Sequence, residues 1–248
     1  MNLVLFDSAD ATMALPVNDP RARHITGVLR VGTGQRFDVG AVNGPRGKGW
    51  IVQQEKDALC LAFAWGETPP TLPPITLLVG MPRPQTARKL LQETTSLGVS
   101  HLAFFQSIKG EPSYSQSTLW SSTEWQDLLK AGAAQAFHTG VPRVTHHESL
   151  GNCLKQYPAT PYAIALDVYE GTERLSSALD GCLAKAPPPT HQQPVLLAIG
   201  SERGWDARER EQFRTAGWTL AHLGERVLRT ETAAITALAL THSKLGYL

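Results

Sequence analysis

Hydrophobic residues follow two different patterns along this chain, and the change comes near residue 70. In the earlier part, short stretches rich in β-branched and aromatic residues alternate with glycine-containing turns, a pattern typical of a small antiparallel β-barrel or sandwich. Strands are predicted at residues 3–6, 35–39, 49–53 and 59–65. One short helix is predicted between them, at residues 20–29.

After residue 74, apolar strands alternate with amphipathic helices. The predicted strands cover residues 75–80, 101–106, 162–166, 195–199 and 219–223, and the predicted helices cover residues 88–97, 123–137, 206–216 and 232–245. The last three of these strands are each apolar enough to be buried on both faces, as parallel strands are. The pattern therefore predicts an open α/β sheet, and ligands bind such sheets beyond the carboxyl ends of the strands.

A proline-rich segment separates the two patterns. Residues 67–74 read Glu-Thr-Pro-Pro-Thr-Leu-Pro-Pro. Such a segment continues neither a helix nor a central strand, so it is interpreted as a stiff linker. We expect a β domain over residues 1–68 and an α/β domain over residues 75–248.

A glycine loop, residues 200–204, follows the strand at 195–199. Gly200 and Gly204 would let the backbone approach a ligand closely. Asp206 and Glu209 have the spacing of a capping box, which predicts a capped helix directly after the loop. A tight strand-to-helix turn without a ligand explains this loop equally well.

A second glycine loop, residues 223–234, contains two arginines and leads into the last helix. Val227 and Leu228 are suited to hold a flat ring, while Arg226 and Arg229 can reach an anionic group or stack on a base. A plain turn does not need arginines on both sides of two apolar residues. The loop is therefore predicted to bind a ligand.

Thr230 and Glu231 in that loop also have a purely structural interpretation. Thr230 is placed to cap the last helix, and Glu231 lies near its positive end. A carboxylate there is stabilised by about 0.3–1 kcal/mol. That energy is a sufficient structural reason for both residues, so a ligand role and a capping role both stay open.

Composition narrows the function classes. The formal net charge is only +1, so an RNA-binding surface would be a local patch or be shared between subunits. Cys60, Cys153 and Cys182 are far apart and fit a reducing cytoplasm. No apolar run approaches the length of a membrane span, and the N-terminus does not resemble a signal peptide, so a cytoplasmic location is expected.

Several chemical motifs are missing from the sequence. The histidines show no metal-ligand spacing, and the chain has neither a nucleophile elbow nor a Walker loop. It also lacks a dinucleotide fingerprint, which disfavours a dinucleotide oxidoreductase.

Four segments together resemble one known family. Residues 223–233, LGERVLRTETA, look like the signature of RsmE-type methyltransferases, and residues 200–204, GSERG, resemble that family's GPEGG loop. Residues 24–34 are similar to the family's HxxxVLR-x-x-x-G segment, and residues 92–99 resemble the helix that usually reads QKxxELGV. The likeness covers the chain in order and is most specific at the C-terminal motif.

The resemblance implies a PUA-like β domain followed by a SPOUT domain, an α/β fold with a C-terminal trefoil knot. It implies S-adenosylmethionine as cofactor, N3 of a uracil in 16S rRNA of the 30S subunit as target, and a homodimer that completes the site. No metal and no membrane partner are expected, because the sequence shows neither metal-ligand spacing nor a membrane-length apolar run. The cofactor-binding residues would be Leu166, Ile199, Gly200, Glu202, Gly204, Leu223, Gly224, Val227, Leu228, Thr230 and Thr232.

Catalytic and RNA-binding roles follow from the same resemblance and from side-chain chemistry. Arg229 would stabilise developing negative charge or hold a phosphate, and Glu231 is a candidate proton acceptor. The predicted RNA-binding residues are Arg23, His24, Arg30 and Arg226. A solvated helix face explains the first three equally well.

The chain departs from the family pattern at positions that are polar, cationic or small in the family. The departures are Ser201, Arg203, Glu93, Ser96 and His138. They leave two alternatives open, a methyltransferase of the same fold that acts on another RNA and a non-catalytic RNA-binding relative.

Overall fold

The computed structural model describes residues 3–157 and 159–248. Contacts divide them into two compact units. The first extends to Thr71 and includes Ala133–Val141, and the second consists of Leu72–Gly132 and Pro142–Leu248. The two domains expected from the linker, residues 1–68 and 75–248, stay a prediction. The observed units differ from them chiefly in one respect, since Ala133–Val141 belongs to the first unit.

The first unit is built on a five-stranded sheet with the order β1-β3-β4-β5-β2. Its strands are β1 (Val4–Phe6), β2 (Thr12–Pro16), β3 (Arg36–Ala41), β4 (Arg46–Gln54) and β5 (Ala58–Trp65). All pairs are antiparallel except β1 and β3, which run parallel, so the fully antiparallel prediction is wrong at this edge. Phe6, Leu15, Ile25, Val39 and Ile51 are buried in its core.

The helix predicted at residues 20–29 is divided in the structure. An α-helical turn, α1 (Pro20–Arg23), passes into a π-helical turn, His24–Val28. Asp19 caps the start, because its Oδ1 accepts a 2.8 Å hydrogen bond from the Arg21 backbone N–H. Arg23 is therefore the last residue of the α-helical turn, and His24 is the first residue of the π-helical turn.

The segment Ala133–Val141 packs within the first unit. The Leu3 N–H donates to the Ala134 carbonyl at 3.3 Å, and the Thr139 hydroxyl donates to the Gly44 carbonyl at 2.7 Å. The Val141 N–H donates to Asn43 Oδ1 at 2.8 Å. These bonds explain why the segment groups with strands that precede it by many residues.

The second unit contains a seven-stranded, fully parallel sheet with the order β10-β12-β9-β11-β6-β7-β8. Its strands are β6 (Ile75–Gly80), β7 (His101–Phe105), β8 (Arg143–His147), β9 (Ala163–Leu166), β10 (Glu173–Arg174), β11 (Val195–Ile199) and β12 (Thr219–His222). Every residue of β6, β9 and β11 is buried, which confirms the predicted parallel α/β sheet.

The helices are α2 (Pro84–Leu97), α3 (Thr118–Ser121), α4 (Glu124–Gln135), α5 (Leu150–Leu154), α6 (Leu175–Leu183), α7 (Ala207–Thr215) and α8 (Thr230–Leu245). Helix α2 starts before the predicted residue 88, with Pro84 in its first turn, and ends at Gly98 as expected. Helices α2 and α8 pack together. No helix in the described ranges is both long enough and apolar enough to cross a bilayer.

Candidate functional site

A cavity of about 450 Å³ opens at the carboxyl ends of β9, β11 and β12, three neighbouring parallel strands. This is the place predicted for a ligand in an open α/β sheet. The volume lies in the range of small-molecule sites, roughly 300–1,000 Å³. The lining consists of Arg83, Thr86, Ala233 and residues 166–169, 199–205, 222–224 and 226–231.

Trp205 forms the buried floor of this cavity. Its indole N–H donates to the Leu166 carbonyl at 2.8 Å, at the end of β9. The ring stacks near Phe105 and meets Phe213 edge-on. The glycine loop that ends at Trp205 is therefore anchored to the strand beside it.

The first glycine loop lies close against the end of β6. The Gly204 N–H donates to the Ser201 carbonyl at 2.9 Å and closes the turn. A Cβ atom on Gly80, at the end of β6, would lie 2.7 Å from the Ser201 nitrogen, so only glycine fits beneath the loop. The Ser201 hydroxyl is buried and has no hydrogen-bond partner in the described structure.

The predicted capping box is confirmed at the start of α7. Asp206 Oδ1 accepts the Arg208 N–H at 3.0 Å, and Glu209 Oε2 accepts the Asp206 N–H at 2.8 Å. The second oxygen of Glu209 accepts the Ile108 N–H at 2.9 Å. Lys109 adds a 2.7 Å bond to the Trp205 carbonyl, so the segment after β7 also holds this loop.

The second glycine loop turns at Gly224, whose φ of 120° favours glycine. The Gly224 N–H donates to His222 Nδ1 at 3.0 Å. The prediction that Thr230 caps the last helix is wrong. Arg229 has the extended backbone of the N-cap residue, Thr230 is already the first helical residue, and no side chain bonds the cap.

Glu231 lies in the first turn of α8 and is 8% exposed. The Lys89 ammonium, on α2, lies 3.2 Å from Glu231 Oε1. Burial opposes ionisation of this carboxyl, but its own backbone N–H, Lys89 and the Arg229 charge outweigh burial and hold its pKa below the usual value. Glu231 is therefore a carboxylate at neutral pH.

Several residues of this site were not predicted from the sequence. Arg83 and Thr86 belong to the start of α2, and the Arg83 N–H donates to Glu202 Oε1 at 3.1 Å across to the glycine loop. Asp167 follows β9 and forms a buried ion pair with Arg210 on α7, which raises the pKa of Arg210. The sequence does contain one indication of Arg83 and Asp167 as site residues, because both follow apolar strands.

The structure brings nearly all predicted ligand residues of the second unit together. The predicted residues that line the cavity are Leu166, Ile199, Gly200, Glu202, Gly204, Leu223, Gly224, Arg226, Val227, Leu228, Arg229, Thr230 and Glu231. Thr232 does not line it; it is exposed on α8, because helical geometry turns this position away from its neighbours Glu231 and Ala233. Glu93 and Ser96 lie on α2 outside the lining.

The other predicted RNA-binding residues lie in the first unit. Arg23 is exposed, but its guanidinium donates to the Asn18 carbonyl, with Nη2 at 2.6 Å. His24 is half-buried, and Arg30 is exposed with a left-handed φ of 53°. Their predicted contact with RNA stays a prediction. Within the described residues, no group of three or more His, Cys, Asp or Glu side chains is arranged to hold a metal ion.

This chain is similar to known proteins in both sequence and fold. A family model for the RNA methyltransferase domain matches residues 69–242. The ribosomal RNA small subunit methyltransferase E of Treponema pallidum is 33% identical over 96% of this chain and 90% of its own length. The methyltransferase E 1 of Borreliella burgdorferi is 25% identical, with 99% of each chain covered.

A solved structure agrees in fold. The ribosomal RNA small subunit methyltransferase E of Neisseria gonorrhoeae, bound to S-adenosyl methionine, superposes with a TM-score of 0.78 at 20% identity. The match covers 98% of this chain and 97% of that one. The matched family model spans most of the chain, including every residue of the cavity lining. This chain belongs to the RNA methyltransferase domain family.

Proposed function

We propose that this protein methylates N3 of a uracil in the 16S rRNA of the small ribosomal subunit, with S-adenosylmethionine as methyl donor. The observation that carries the proposal is the meeting of the two glycine loops around one cavity, in a member of the RNA methyltransferase domain family. The small-subunit rRNA methyltransferase names of its full-length relatives support the substrate. A cytoplasmic location is consistent with that substrate.

The residues present fit this cofactor. Leu166, Ile199, Leu223, Val227 and Leu228 offer apolar surface for an adenine ring, and the backbone N–H groups of both loops offer hydrogen bonds. The unpartnered Ser201 hydroxyl supplies a further polar contact. When bound, the cofactor supplies a methyl group on a positively charged sulfur.

The chain's own groups would align the target and manage its proton. N3 of uracil carries a proton with a pKa well above neutrality, so the N3–H bond must break as the N3–methyl bond forms. Arg229 would stabilise the negative charge that develops on the uracil ring. Glu231, ionised beside Lys89, would accept the proton; its lowered pKa makes it a weak base.

Three finer features belong to the same proposal. We infer that the first unit is a PUA-like barrel that contacts RNA through Arg23, His24 and Arg30, and that the second unit carries the trefoil knot. A homodimer would complete the site. Its support is exposed apolar surface at Val227 in the second loop and at Leu240 and Tyr247 near the C-terminus.

Methyl transfer to isolated 30S subunits tests the function. The subunits come from a strain that lacks the native uridine modification, and tritiated S-adenosylmethionine is the donor. We expect label in N3-methyluridine, and a loss of about 10²–10³ in rate for Arg229→Ala, by analogy with removal of one charge-stabilising donor. Arg208→Ala is the matched control, because its guanidinium pairs with Asp206 outside the cavity.

Other results of this methyl-transfer experiment would each point to an alternative function. Label in a different nucleotide would assign the enzyme to another RNA target, and cofactor binding without transfer would indicate a non-catalytic RNA-binding relative. Near-normal turnover by folded Arg229→Ala protein would remove the role given to Arg229.

A further inference from the structure

Every carboxylate that lines the cavity already has a cationic partner. The pairs are Glu202 with Arg83, Glu231 with Lys89, and Asp167 with Arg210. Negative charge at this site is therefore used in ion pairs between neighbouring elements. The ion pairs of these three acids do not include the arginines of the two glycine loops.

Three arginines outside these pairs line the cavity, and the proposed function places one of them, Arg229, at the uracil. Arg203 in the first glycine loop and Arg226 in the second both line the cavity and are exposed. Across residues 3–157 and 159–248, neither guanidinium has a hydrogen bond or an ion pair. Two arginines on neighbouring α7 behave differently: Arg208 pairs with Asp206, and Arg214 pairs with Glu170.

We propose that Arg203 and Arg226 form a phosphate-binding site that holds the RNA backbone at the mouth of the cavity. Two exposed guanidinium groups without a carboxylate partner, both lining one cavity, favour an anionic ligand, and their forked donors match phosphate oxygens. The cofactor carries a single carboxylate beside its own ammonium group, whereas RNA presents one phosphate per nucleotide. The inference rests on the proposed function in taking RNA as the source of the anion.

Arg203 distinguishes the proposed site from the family pattern. The loop that it occupies resembles GPEGG, where the corresponding position is glycine, and Arg203 is absent from the RNA-binding residues predicted above. With a net charge of only +1, the chain has few cations to spare for RNA. An arginine beside the reacting centre supplies attraction where the target nucleotide must be held.

An exposed aromatic ring lies at the same mouth. Tyr169 lines the cavity and is 77% exposed. Its backbone N–H donates to Asp167 Oδ1 at 2.9 Å, and Asp167 is held by Arg210, so the loop beneath the ring is fixed. An exposed ring on an anchored backbone, beside the proposed phosphate contacts, is suited to stack on an unpaired base.

Binding of a fluorescein-labelled uridine 20-mer, measured by anisotropy over a range of salt concentrations, tests the site. Arg203→Ala and Arg226→Ala should each weaken binding and reduce the slope of log affinity against log salt by about 0.7, as for one phosphate contact on a single strand. Tyr169→Ala should weaken binding roughly tenfold with an unchanged slope, because stacking releases no counterions. Arg208→Ala, the paired control, should change neither quantity.

Calorimetric titration with S-adenosylmethionine completes the test. Unchanged cofactor affinity in Arg203→Ala, together with the reduced salt slope, supports the phosphate site. Wild-type RNA affinity and slope in that variant would overturn it, as would weaker cofactor binding with normal RNA binding, which assigns the guanidinium to the cofactor carboxylate. Full RNA affinity in Tyr169→Ala would remove the stacking contact. A chain that binds the 20-mer through Arg203 but does not label 30S subunits would refute only the proposed methylation.

Discussion

Lys89 and Glu231 show how one ion pair can set the chemistry of a site. The pair joins the middle of α2 to the first turn of α8, and together with the Glu231 backbone N–H and the Arg229 charge it outweighs burial and holds the pKa of this carboxyl below its usual value. Four residues after Lys89, on the same side of the helix, Glu93 stands where RsmE-type helices usually carry lysine. We infer that Lys89 supplies, one turn earlier, a positive charge that position 93 no longer provides.

Reversing these two charges tests that inference. In Lys89→Glu, a like charge faces Glu231, so its pKa should rise and methyl transfer should fall at least tenfold at neutral pH. The acid limb of the pH–rate profile should move to higher pH, because Glu231 would then bind its proton more readily. The double variant Lys89→Glu/Glu93→Lys should recover most of the rate and the original acid limb.

Glu93→Lys alone is the control and should leave the profile unchanged. A Lys89→Glu enzyme with the wild-type acid limb would show that Lys89 does not govern Glu231. A purely structural loss would lower the rate at every pH and leave the position of the limb unaltered.

Apart from Leu166 at the end of β9, the cavity residues that could be predicted share one property: they lie in short contiguous motifs. Gly200, Gly204 and Gly224 are recognisable because glycine spacing reflects backbone geometry. Lys89 and Asp167 were missed because their partners are distant in sequence and only tertiary packing joins them. The wrong cap at Thr230 has a local cause, since the chain enters helical geometry one residue earlier than the capping preference of threonine suggests.

Strands in the centre of the sheet were predictable, and strands at its edges were not. Strands β6 and β11 were predicted with their observed limits because they are buried on both faces and therefore mostly apolar. Strand β8, at one edge, reads Arg-Val-Thr-His-His and is partly exposed, so it carries no hydrophobic signal. Strand β10, at the other edge, has only two residues.

That polar edge holds a hydrogen-bonded histidine network. His101 Nε2 lies 2.9 Å from the Thr145 hydroxyl, and the Tyr157 hydroxyl lies 3.3 Å from His101 Nδ1. Burial, followed by the charges of Arg143 and His147, lowers the pKa of His101 to about 4. The folded protein therefore favours the neutral form of the His101 side chain.

The network predicts a loss of stability in mild acid. The unfolded chain binds the His101 proton near pH 6.5 and the folded chain only near pH 4, so the free energy of unfolding should decrease as pH falls through this window. One pKa unit corresponds to about 1.4 kcal/mol, and partial exposure reduces the total, so we expect a contribution of about 1–2 kcal/mol.

Urea unfolding of wild type and His101→Gln between pH 7 and 4 measures that contribution. The variant should lose less stability over this range than wild type. His191→Gln, which changes an exposed histidine, should retain the wild-type dependence. Equal pH dependence in wild type and His101→Gln would show that another group causes the acid sensitivity.

Division of the chain into two units could be foreseen only in part. The prolines at 67–74 indicated where the β-rich part ends. They could not indicate that Ala133–Val141 packs with that part, because the bonds from Ala134, Thr139 and Val141 depend on the three-dimensional path of the chain. Hydrophobic periodicity reports local structure and does not show that a later segment of the chain packs with an earlier unit.

Because every residue that lines the cavity belongs to the second unit, a cofactor should stabilise that unit directly. At 100 times its Kd, S-adenosylmethionine should add about 2.7 kcal/mol to the free energy of unfolding, while NAD should add nothing. Hydrogen exchange should slow at residues 200–205 and 223–231, whereas the amides of β3, β4 and β5 should exchange at their original rates below the global limit. Equal stabilisation by NAD, or protection confined to the first unit, would contradict the assignment of this cavity to S-adenosylmethionine.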